Sequence, residues 1–358
     1  MSQFLLLLAL PVVSLVFVLI FTPLARLLAI KVKLVDKPNA RKVHVKSTPL
    51  IGGLVIYAAT SCSLLLAVAL VPTGDALRIL AVGSSVLLLI GLIDDKLDLR
   101  ASYKLVVQIA VAYFVFASGV RLTSLFGIFG IYQLSEFWQY FLTILIVVGT
   151  VNAFNLTDGI DGLAGGLAVI GSIAFSVLAY WLGRVDLLVF FLILLGALIG
   201  FLRYNLSERS KIFMGDAGSL ALGFVLVVAG LSLMNTAQDS TNSALTLSVV
   251  IGVLLLPVLD SLRVYRNRIK RGDSPFQADR THFHHLVLAL GMKHKVASAA
   301  IALVVVLILL LAVLVGSLWS VTIVILALLL LFGAIARVLI LYQEVRTWGD
   351  KLKALERK

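Results

Sequence analysis

The residues best suited to chemistry are carboxylates and amides that lie beside long apolar runs. Residues 152–166 (NAFNLTDGIDGLAGG) form a polar, glycine-rich stretch between two such runs and carry Asn155, Asp158 and Asp161. Because an unpaired carboxylate or amide at a membrane boundary is costly, the stretch is predicted to be a functional site. Its glycines, Gly159 among them, would let the backbone approach a diphosphate closely, and a helix starting here would direct free N–H groups towards it. In the alternative interpretation the glycines serve only helix packing, and one aspartate only caps a helix.

Two further boundaries of apolar runs carry aspartates. Residues 94–104 (DDKLDLRASYK) place Asp94 and Asp95 side by side at a helix end, with Asp98 one turn further on. Adjacent carboxylates can raise each other's pKa or bind a divalent cation. In KIFMGDAGS, Asp216 follows a glycine and is predicted to begin the next helix. A solvated helix end and simple capping are the structural alternatives, but three acidic boundaries on one membrane face favour a magnesium site with oxygen ligands.

Two connections supply basic and aromatic side chains. Residues 36–53 (DKPNARKVHVKSTPLIGG) form a loop whose prolines and glycines predict a defined structure, and Lys46 belongs to its basic cluster. Such a cluster could bind phosphate, or serve only as a positive anchor on the inner side of a membrane. Residues 203–219 contain Phe213, which is interpreted as an aromatic lid or, taken alone, as an interfacial anchor.

The longest polar connection resembles an arm that grips a substrate. Residues 263–295 contain RVYRNRIKRGDSPFQADRTHFHH, whose arginines and lysines, Arg280 included, could bind phosphate. His282, His284 and His285 offer hydrogen-bond donors and acceptors for a sugar or a second phosphate. The H-x-H-H pattern also suggests zinc, but no cysteine or further histidine has a convincing ligand spacing, and the acidic loops favour magnesium.

Composition defines the elements that must position these residues. The chain has 358 residues, of which 61% are hydrophobic and 13% are charged, so it is predicted to be an all-α polytopic integral membrane protein. The chain has a net charge of +12, and its charged residues flank the apolar runs. These positions indicate residues that set the membrane topology and contact anionic ligands, and they argue against nucleic-acid binding. The single Cys62 is predicted to be a buried structural thiol. The first apolar run is predicted to be retained, and eleven spans are expected: 3–30, 50–71, 78–93, 104–120, 136–154, 162–182, 187–203, 216–234, 244–262, 296–316 and 319–340.

The distribution of lysine and arginine predicts the orientation. With these spans, Arg78, Arg121 and Arg184 lie at outer connections, which leaves 27 of the 30 basic residues at or near inner ones. Positive charge is retained on the cytoplasmic side, so the N-terminus is predicted outside and the C-terminus in the cytoplasm. One transmembrane catalytic domain is therefore expected over residues 1–358. Its active-site loops would lie on the cytoplasmic face near 31–49, 94–104, 152–162, 203–216 and 263–295.

Taken in order, the motifs resemble the polyprenyl-phosphate N-acetylhexosamine-1-phosphate transferases, over nearly the whole chain. The resemblance is carried by DKPNARKVHVKSTPLIGG, GLIDDKLDLRASYK, NAFNLTDGIDGLAGG, IFMGDAGS and DRTHFHH. The branch that transfers phospho-muramoyl-pentapeptide typically has three consecutive histidines in the last motif. This chain has His282, Phe283, His284 and His285 there, which is similar to the N-acetylglucosamine branch of the WecA and TagO type.

The resemblance implies a reaction and a set of roles. N-acetylglucosamine 1-phosphate would move from its UDP-sugar to undecaprenyl phosphate, with UMP as the second product, as the first membrane step of a cell-envelope polysaccharide in the bacterial cytoplasmic membrane. Asp216 and Asn155 would ligate Mg²⁺, for which Mn²⁺ could substitute. Asp94 and Asp95 would activate or orient the acceptor phosphate, as a covalent nucleophile or as a base.

The remaining candidates share a role in binding the two substrates. Uracil would contact a glycine, an aspartate and an aromatic ring, the lipid phosphate would meet a lysine, and the diphosphate and sugar would be held by the arm. In chain order these candidates are Lys46, Asp98, Lys104, Asp158, Gly159, Asp161, Phe213, Arg280, His282, His284 and His285.

Two alternatives stay open at this stage. The same chemistry could act on another UDP-N-acetylhexosamine or on UDP-muramoyl-pentapeptide. An ion-coupled transporter would also contain carboxylates in its membrane segments, but these would lie near the bilayer midplane in two similar halves, and the chain shows no internal repeat. The sequence leaves the oligomeric state open, a homodimer included.

Overall fold

The computed structural model describes residues 2–36, 47–67, 74–238, 240, 242–274 and 281–356. Within these ranges the chain is almost entirely helical, and one short antiparallel pair of strands, β1 (Val35–Asp36) and β2 (Thr48–Pro49), pairs Val35 with Pro49. The helices are α1 (Ser2–Lys31), α2 (Gly52–Ala67), α3 (Asp75–Leu97), α4 (Ala101–Ala117), α5 (Glu136–Thr157), α6 (Leu163–Trp181), α7 (Val185–Asn205), α8 (Gly215–Ala237), α9 (Ser243–Arg271), α10 (Phe283–Leu288), α11 (His294–Leu318) and α12 (Val321–Glu356).

The described helices confirm the predicted class of all-α polytopic membrane protein. By length and composition, nine of them could cross a membrane, while α2 and α4 are shorter apolar helices. Each predicted span overlaps one of these eleven helices, but α9 and α12 run well past the predicted ends at 262 and 340. The first basic part of the arm is therefore helical, because arginine and lysine are good helix formers. Gly272, at φ +77°, ends α9.

Helix α8 is the centre of the bundle. Its most apolar 18-residue segment is entirely buried, and it packs against α3, α5 and α2. Small residues make this packing close, since a Cβ on Gly53 would come within 2.2 Å of the Gly218 backbone, and a Cβ on Gly91 within 2.4 Å of Ala217. The N-terminus of α8, which carries Asp216, is thereby fixed against the C-terminal end of α3.

The outside of the bundle is apolar, and this corrects one prediction. Cys62 is exposed, not buried, on helix α2. Large apolar side chains such as Leu65, Leu66 and Leu314 are also more than half exposed. In a membrane protein the lipid tails are as apolar as leucine, so an apolar run does not predict which of its residues face the protein interior.

Candidate active site

One lysine joins two of the predicted aspartates. Lys104, in the first turn of α4, lies with its Nζ 2.6 Å from Oδ2 of Asp94 and 2.9 Å from Oδ2 of Asp216. Asp94 is buried, and its Oδ1 accepts a hydrogen bond of 2.8 Å from the backbone N–H of Leu99 in the turn after α3. The ends of three helices, α3, α4 and α8, are thus held together through charged side chains.

Asp95 has a different environment from its neighbour. Its two oxygens accept hydrogen bonds from the backbone N–H groups of Asp216, at 2.9 Å, and Ala217, at 3.2 Å. These are free donors of the first turn of α8, where a negative charge is also favoured by the helix dipole. A Cβ on Gly215, which has φ +75°, would lie 2.5 Å from Asp95 Oδ2, so this contact requires glycine. Asp94 and Asp95, which are predicted to act together, therefore have different partners: Asp94 pairs with the Lys104 ammonium group, and Asp95 accepts hydrogen bonds from backbone amides.

Two residues of the 152–166 stretch complete this cluster. The side-chain amide of Asn155 is a hydrogen-bond partner of the Asp216 carboxylate, and the backbone N–H of Asp158 donates to the Asn155 carbonyl. Burial, and then the negative charges of Asp216, Asp95 and Asp161, hold the pKa of the Asp158 carboxyl well above its usual range. We call Asp94, Asp95, Lys104, Asn155, Asp158 and Asp216 the carboxylate centre.

The loop before α8 lies beside this centre. Lys211 Nζ is 2.5 Å from Asp161 Oδ2 and 5.1 Å from the centre of the Phe213 ring, so one lysine links two of the three residues predicted to hold uracil. Phe213 is fixed through its backbone, which pairs with Pro49 and Gly52. Asn205 accepts from the N–H of Gly162 at 2.7 Å and donates to the Ile212 carbonyl at 2.9 Å. Lys211 and Asn205 were not singled out from the sequence.

The arm places three residues around a buried aspartate of α9. Asp260 Oδ2 accepts hydrogen bonds from the backbone N–H of Phe283, at 2.9 Å, and from His282 Nδ1, at 3.0 Å. Its Oδ1 lies 2.6 Å from Nη2 of Arg263, which also donates to the Thr281 carbonyl. We call Asp260, Arg263 and residues 281–285 the histidine segment.

His284 connects the histidine segment to the carboxylate-bearing stretch. A Cβ on Gly159 would come within 2.3 Å of His284 Nε2, so the glycine at this position allows the contact. The ring of His284 is parallel to that of His282, with centroids 6.0 Å apart, and its centroid is 4.3 Å from that of His285. Burial, and then the neighbouring imidazole rings of His285 and His282, lower the pKa of His284 to about 3. His284 is therefore neutral at neutral pH.

Comparisons with known proteins agree with the motifs. Residues 77–234 match the model of glycosyl transferase family 4. The chain is 34% identical over 336 residues to the probable undecaprenyl-phosphate N-acetylglucosaminyl 1-phosphate transferase of Bacillus subtilis, a match that covers 93% of this chain and 92% of the relative. It is 33% identical over 293 residues to the undecaprenyl-phosphate alpha-N-acetylglucosaminyl 1-phosphate transferase of Salmonella typhi, covering 80% of this chain and 77% of the relative. The chain belongs to the polyprenyl-phosphate N-acetylhexosamine-1-phosphate transferase family.

The oxygen donors of this transferase fit a magnesium ion. Among the described residues, no group of three or more His, Cys, Asp or Glu side chains is arranged as a metal cage. Mg²⁺, however, commonly takes one or two protein oxygens together with water and substrate phosphates. Asp216 and Asn155 are in contact and offer a carboxylate and an amide oxygen. The negative charges that surround Asp158 would also favour a cation at this point.

The structure of the transferase brings most of the predicted site residues into two adjoining groups. Asp98 lies apart, exposed in the left-handed conformation at the end of α3, and within the described ranges its side chain makes no hydrogen bond or ion pair. Lys46 and Arg280 lie outside the described residues. Asp260 was missed because it follows the apolar run of α9, 22 residues before His282, with no local motif around it.

Proposed function

We propose that the chain transfers N-acetylglucosamine 1-phosphate from UDP-N-acetylglucosamine to undecaprenyl phosphate. The products would be undecaprenyl-diphospho-N-acetylglucosamine and UMP. The observation that carries the proposal is the carboxylate centre, in which Lys104 joins Asp94 and Asp216 at the buried N-terminus of α8, next to Asn155. The names of the relatives from Bacillus subtilis and Salmonella typhi describe this transfer.

The reaction requires the protein to stabilise negative charge on the phosphates more than to form covalent bonds to the substrates. An oxygen of the lipid phosphate forms a bond to the sugar-side phosphorus of the UDP-sugar, while the bond from that phosphorus to the bridging oxygen breaks and UMP leaves with the electron pair. Asp216 and Asn155 would hold Mg²⁺, which would supply positive charge to offset that of the phosphates. Lys104 would contact the phosphates, and Asp94, whose Oδ2 lies 2.6 Å from the Lys104 Nζ, would orient the acceptor.

The helix ends explain how the centre stays aligned during the reaction. Asp95 holds the first turn of α8 through two backbone amides, so Asp216 keeps its place next to Asn155. Lys211 holds Asp161, and its ammonium group lies over the ring of Phe213, which would face uracil. Positioning of this kind is the main protein contribution to phosphoryl transfer.

The proposal includes the topology. The chain would cross the membrane eleven times, with its N-terminus outside and its C-terminus in the cytoplasm. Its active site would lie on the cytoplasmic face of the bacterial inner membrane. Support comes from the basic residues, of which 27 of 30 lie at or near the predicted inner connections. Cysteine accessibility would test it: Asp98→Cys, at the exposed end of α3, should react with a membrane-impermeant maleimide only in inside-out vesicles.

The function is tested on purified full-length protein in detergent. Undecaprenyl phosphate is supplied with a panel of UDP-sugars, and UMP release is measured with Mg²⁺, with excess chelator, and after Mn²⁺ is added back. We expect release from UDP-N-acetylglucosamine, loss of activity in chelator, and recovery with either metal. Release only from UDP-muramoyl-pentapeptide or another UDP-hexosamine would change the assigned sugar. Full turnover in chelator would contradict the metal assignment.

A further inference from the structure

The histidine segment contains a buried nitrogen without a partner. His282 is 5% exposed, and its Nδ1 lies 3.0 Å from Asp260 Oδ2. The other ring nitrogen, Nε2, is buried and has no hydrogen-bond partner in the described part of the chain. Buried polar atoms are paired in most proteins, so an orphan atom in a ligand-binding region indicates a group that the ligand satisfies.

The contacts of Asp260 determine where the proton of His282 resides. Asp260 is buried, and its charge is balanced by Arg263, whose Nε and Nη2 lie 3.2 and 2.6 Å from Oδ1. Oδ2 already accepts the Phe283 N–H at 2.9 Å, so it is an ionised acceptor and His282 Nδ1 must be the donor. In a neutral ring with its proton on Nδ1, Nε2 carries a lone pair and accepts hydrogen bonds.

An acceptor at this place discriminates between parts of a nucleotide sugar. A diphosphate at neutral pH offers only acceptor oxygens, whereas a sugar offers hydroxyl groups and an N-acetyl sugar also offers an amide N–H. The ring of His282 is parallel to that of His284, which contacts Gly159 beside the carboxylate centre. Nε2 of His282 is therefore suited to the sugar and not to the diphosphate.

We propose that Asp260 is a positioning residue for sugar recognition, which fixes His282 with Nε2 as an acceptor for a hydroxyl or amide N–H of the transferred N-acetylhexosamine. This inference rests on the proposed function. Asp260 touches no substrate itself and acts through His282, while Arg263 holds both the carboxylate and the Thr281 carbonyl. The assignment adds a residue of α9 to a specificity element otherwise formed by the arm.

A double-mutant cycle in the full-length protein tests the coupling. Asp260→Asn, His282→Ala and the double variant are compared for UMP release and for binding of UDP-N-acetylglucosamine and UMP by calorimetry. Loss of one buried polar contact should weaken UDP-N-acetylglucosamine about tenfold to a hundredfold, and UMP, which lacks the sugar, by less than about threefold. The double variant should be no worse than His282→Ala. Asp273→Asn, at an exposed position of the same arm, is the matched control and should resemble wild type.

A second pair of variants leaves Asp260 intact and stays informative if Asp260→Asn does not fold. Asn in place of His282 can still donate to Asp260 but lacks an acceptor at the Nε2 position, whereas Gln can present its carbonyl oxygen there. We expect His282→Gln to keep UDP-N-acetylglucosamine affinity within about tenfold of wild type, and His282→Asn to lose more. Equal losses in both variants would overturn the acceptor role.

The outcomes separate this inference from the proposed function. Absence of UMP release from every UDP-sugar by wild type would overturn the proposed function, and the inference with it. Activity in wild type combined with losses that multiply in the double variant would overturn only the coupling through His282. Equal loss of UMP and UDP-N-acetylglucosamine binding by Asp260→Asn, together with a lowered melting temperature, would assign Asp260 to scaffolding and overturn its positioning role.

Discussion

The carboxylate centre and the histidine segment adjoin each other but are stabilised in different ways. In the carboxylate centre, charged side chains contact opposite charges or the amides at a helix N-terminus. Lys104 forms ion pairs with two aspartates, and Asp95 accepts hydrogen bonds from the first amides of α8. In the histidine segment, one aspartate of α9 holds a six-residue helix and the residue before it, and His282 Nε2 is left without a partner among the described residues. The first region is held by contacts within the protein, while the second contains the buried nitrogen that we propose as an acceptor for the sugar.

This difference predicts different kinetic signatures. Groups that act on phosphates in the transition state should change turnover when they are altered, while groups that contact the sugar in the ground state should change affinity. The two regions meet at Gly159, which belongs to the carboxylate-bearing stretch and contacts His284.

The largest effect is expected at the carboxylate centre. Asp94→Asn removes the negative charge beside Lys104 and should lower turnover by about a thousandfold or more, because we propose that Asp94 acts on the acceptor phosphate. UDP-N-acetylglucosamine affinity, measured by calorimetry, should stay within about threefold of wild type. Asp75→Asn, at the exposed opposite end of α3, is the control and should be fully active. If nucleotide affinity fell in proportion to turnover, the acceptor role of Asp94 would be wrong.

At Gly159, where the two regions meet, a single added methyl group should change the affinity for UDP-N-acetylglucosamine without a comparable change in turnover. Gly159→Ala would place a Cβ 2.3 Å from His284 Nε2 and displace the ring, so the Kd for UDP-N-acetylglucosamine should rise roughly tenfold to a hundredfold. Gly166→Ala is the matched control, because it is the same substitution in the same stretch and its Cβ would have no neighbouring atom within 4 Å. Isothermal titration of both variants checks the prediction. Identical affinities for the two would show that the contact with His284 has no part in sugar binding.

A smaller effect is expected where the nucleotide would bind. Lys211→Met leaves Asp161 without its 2.5 Å ion pair and removes the cation from the Phe213 ring, so UMP should bind about tenfold more weakly. The control is Lys295→Met, whose pair with Glu208 is exposed and 3.9 Å long. Fluorescence titration with UMP compares the two variants. Unchanged UMP affinity in Lys211→Met would remove Asp161 and Phe213 from the proposed uracil site.

The smallest effect concerns pH and stability. The unfolded chain binds a proton at His284 near the ordinary pKa of 6.5, whereas the folded chain does so only near pH 3. The unfolded state therefore binds more protons between these values, so the stabilising contribution of a neutral His284 is present above pH 6.5 and is lost as the pH falls. At pH 5 the loss is roughly 1 to 2 kcal/mol. The raised pKa of Asp158 acts in the opposite sense above its ordinary value.

A comparison of variants isolates the contribution of His284. The apparent melting temperature in detergent should fall by several degrees more between pH 7 and pH 5 in wild type than in His284→Gln, which has no ring to protonate. Asp158 and the other titrating groups are present in both proteins. Parallel pH profiles would mean that His284 is protonated inside the folded protein at pH 5.

The sequence predicted helices better than contacts, and particular residues show why. Apolar runs mark membrane helices by length and composition alone, so every predicted span has a helix in the described structure. The basic segment after residue 262 reads as a loop in the sequence, whereas in the structure it continues α9 to Arg271. Charge density indicates the side of the membrane, but helix propensity and the left-handed Gly272 determine where the helix ends.

The candidate site divides in the same way. Aspartates at the ends of apolar runs could be selected from sequence, because such positions are costly without a function. Their individual partners could not be predicted, since Asp95 meets Asp216 only when α3 packs against α8, across 121 positions of chain. Lys211 looked like any inner-side lysine, and Asp260 like the polar end of a span.

The full burial of the apolar segment of α8 has a consequence for how the protein loses activity. Asp216 begins the helix whose apolar segment is wholly buried, so its amides should exchange with deuterium only when the whole bundle opens. The apolar segments of helices α11 and α12 are 22% buried, so their backbone amides should exchange through local fluctuations and be much less protected than those of α8. Heat inactivation should therefore coincide with global unfolding, and the reaction centre should persist intact while the periphery is already labile.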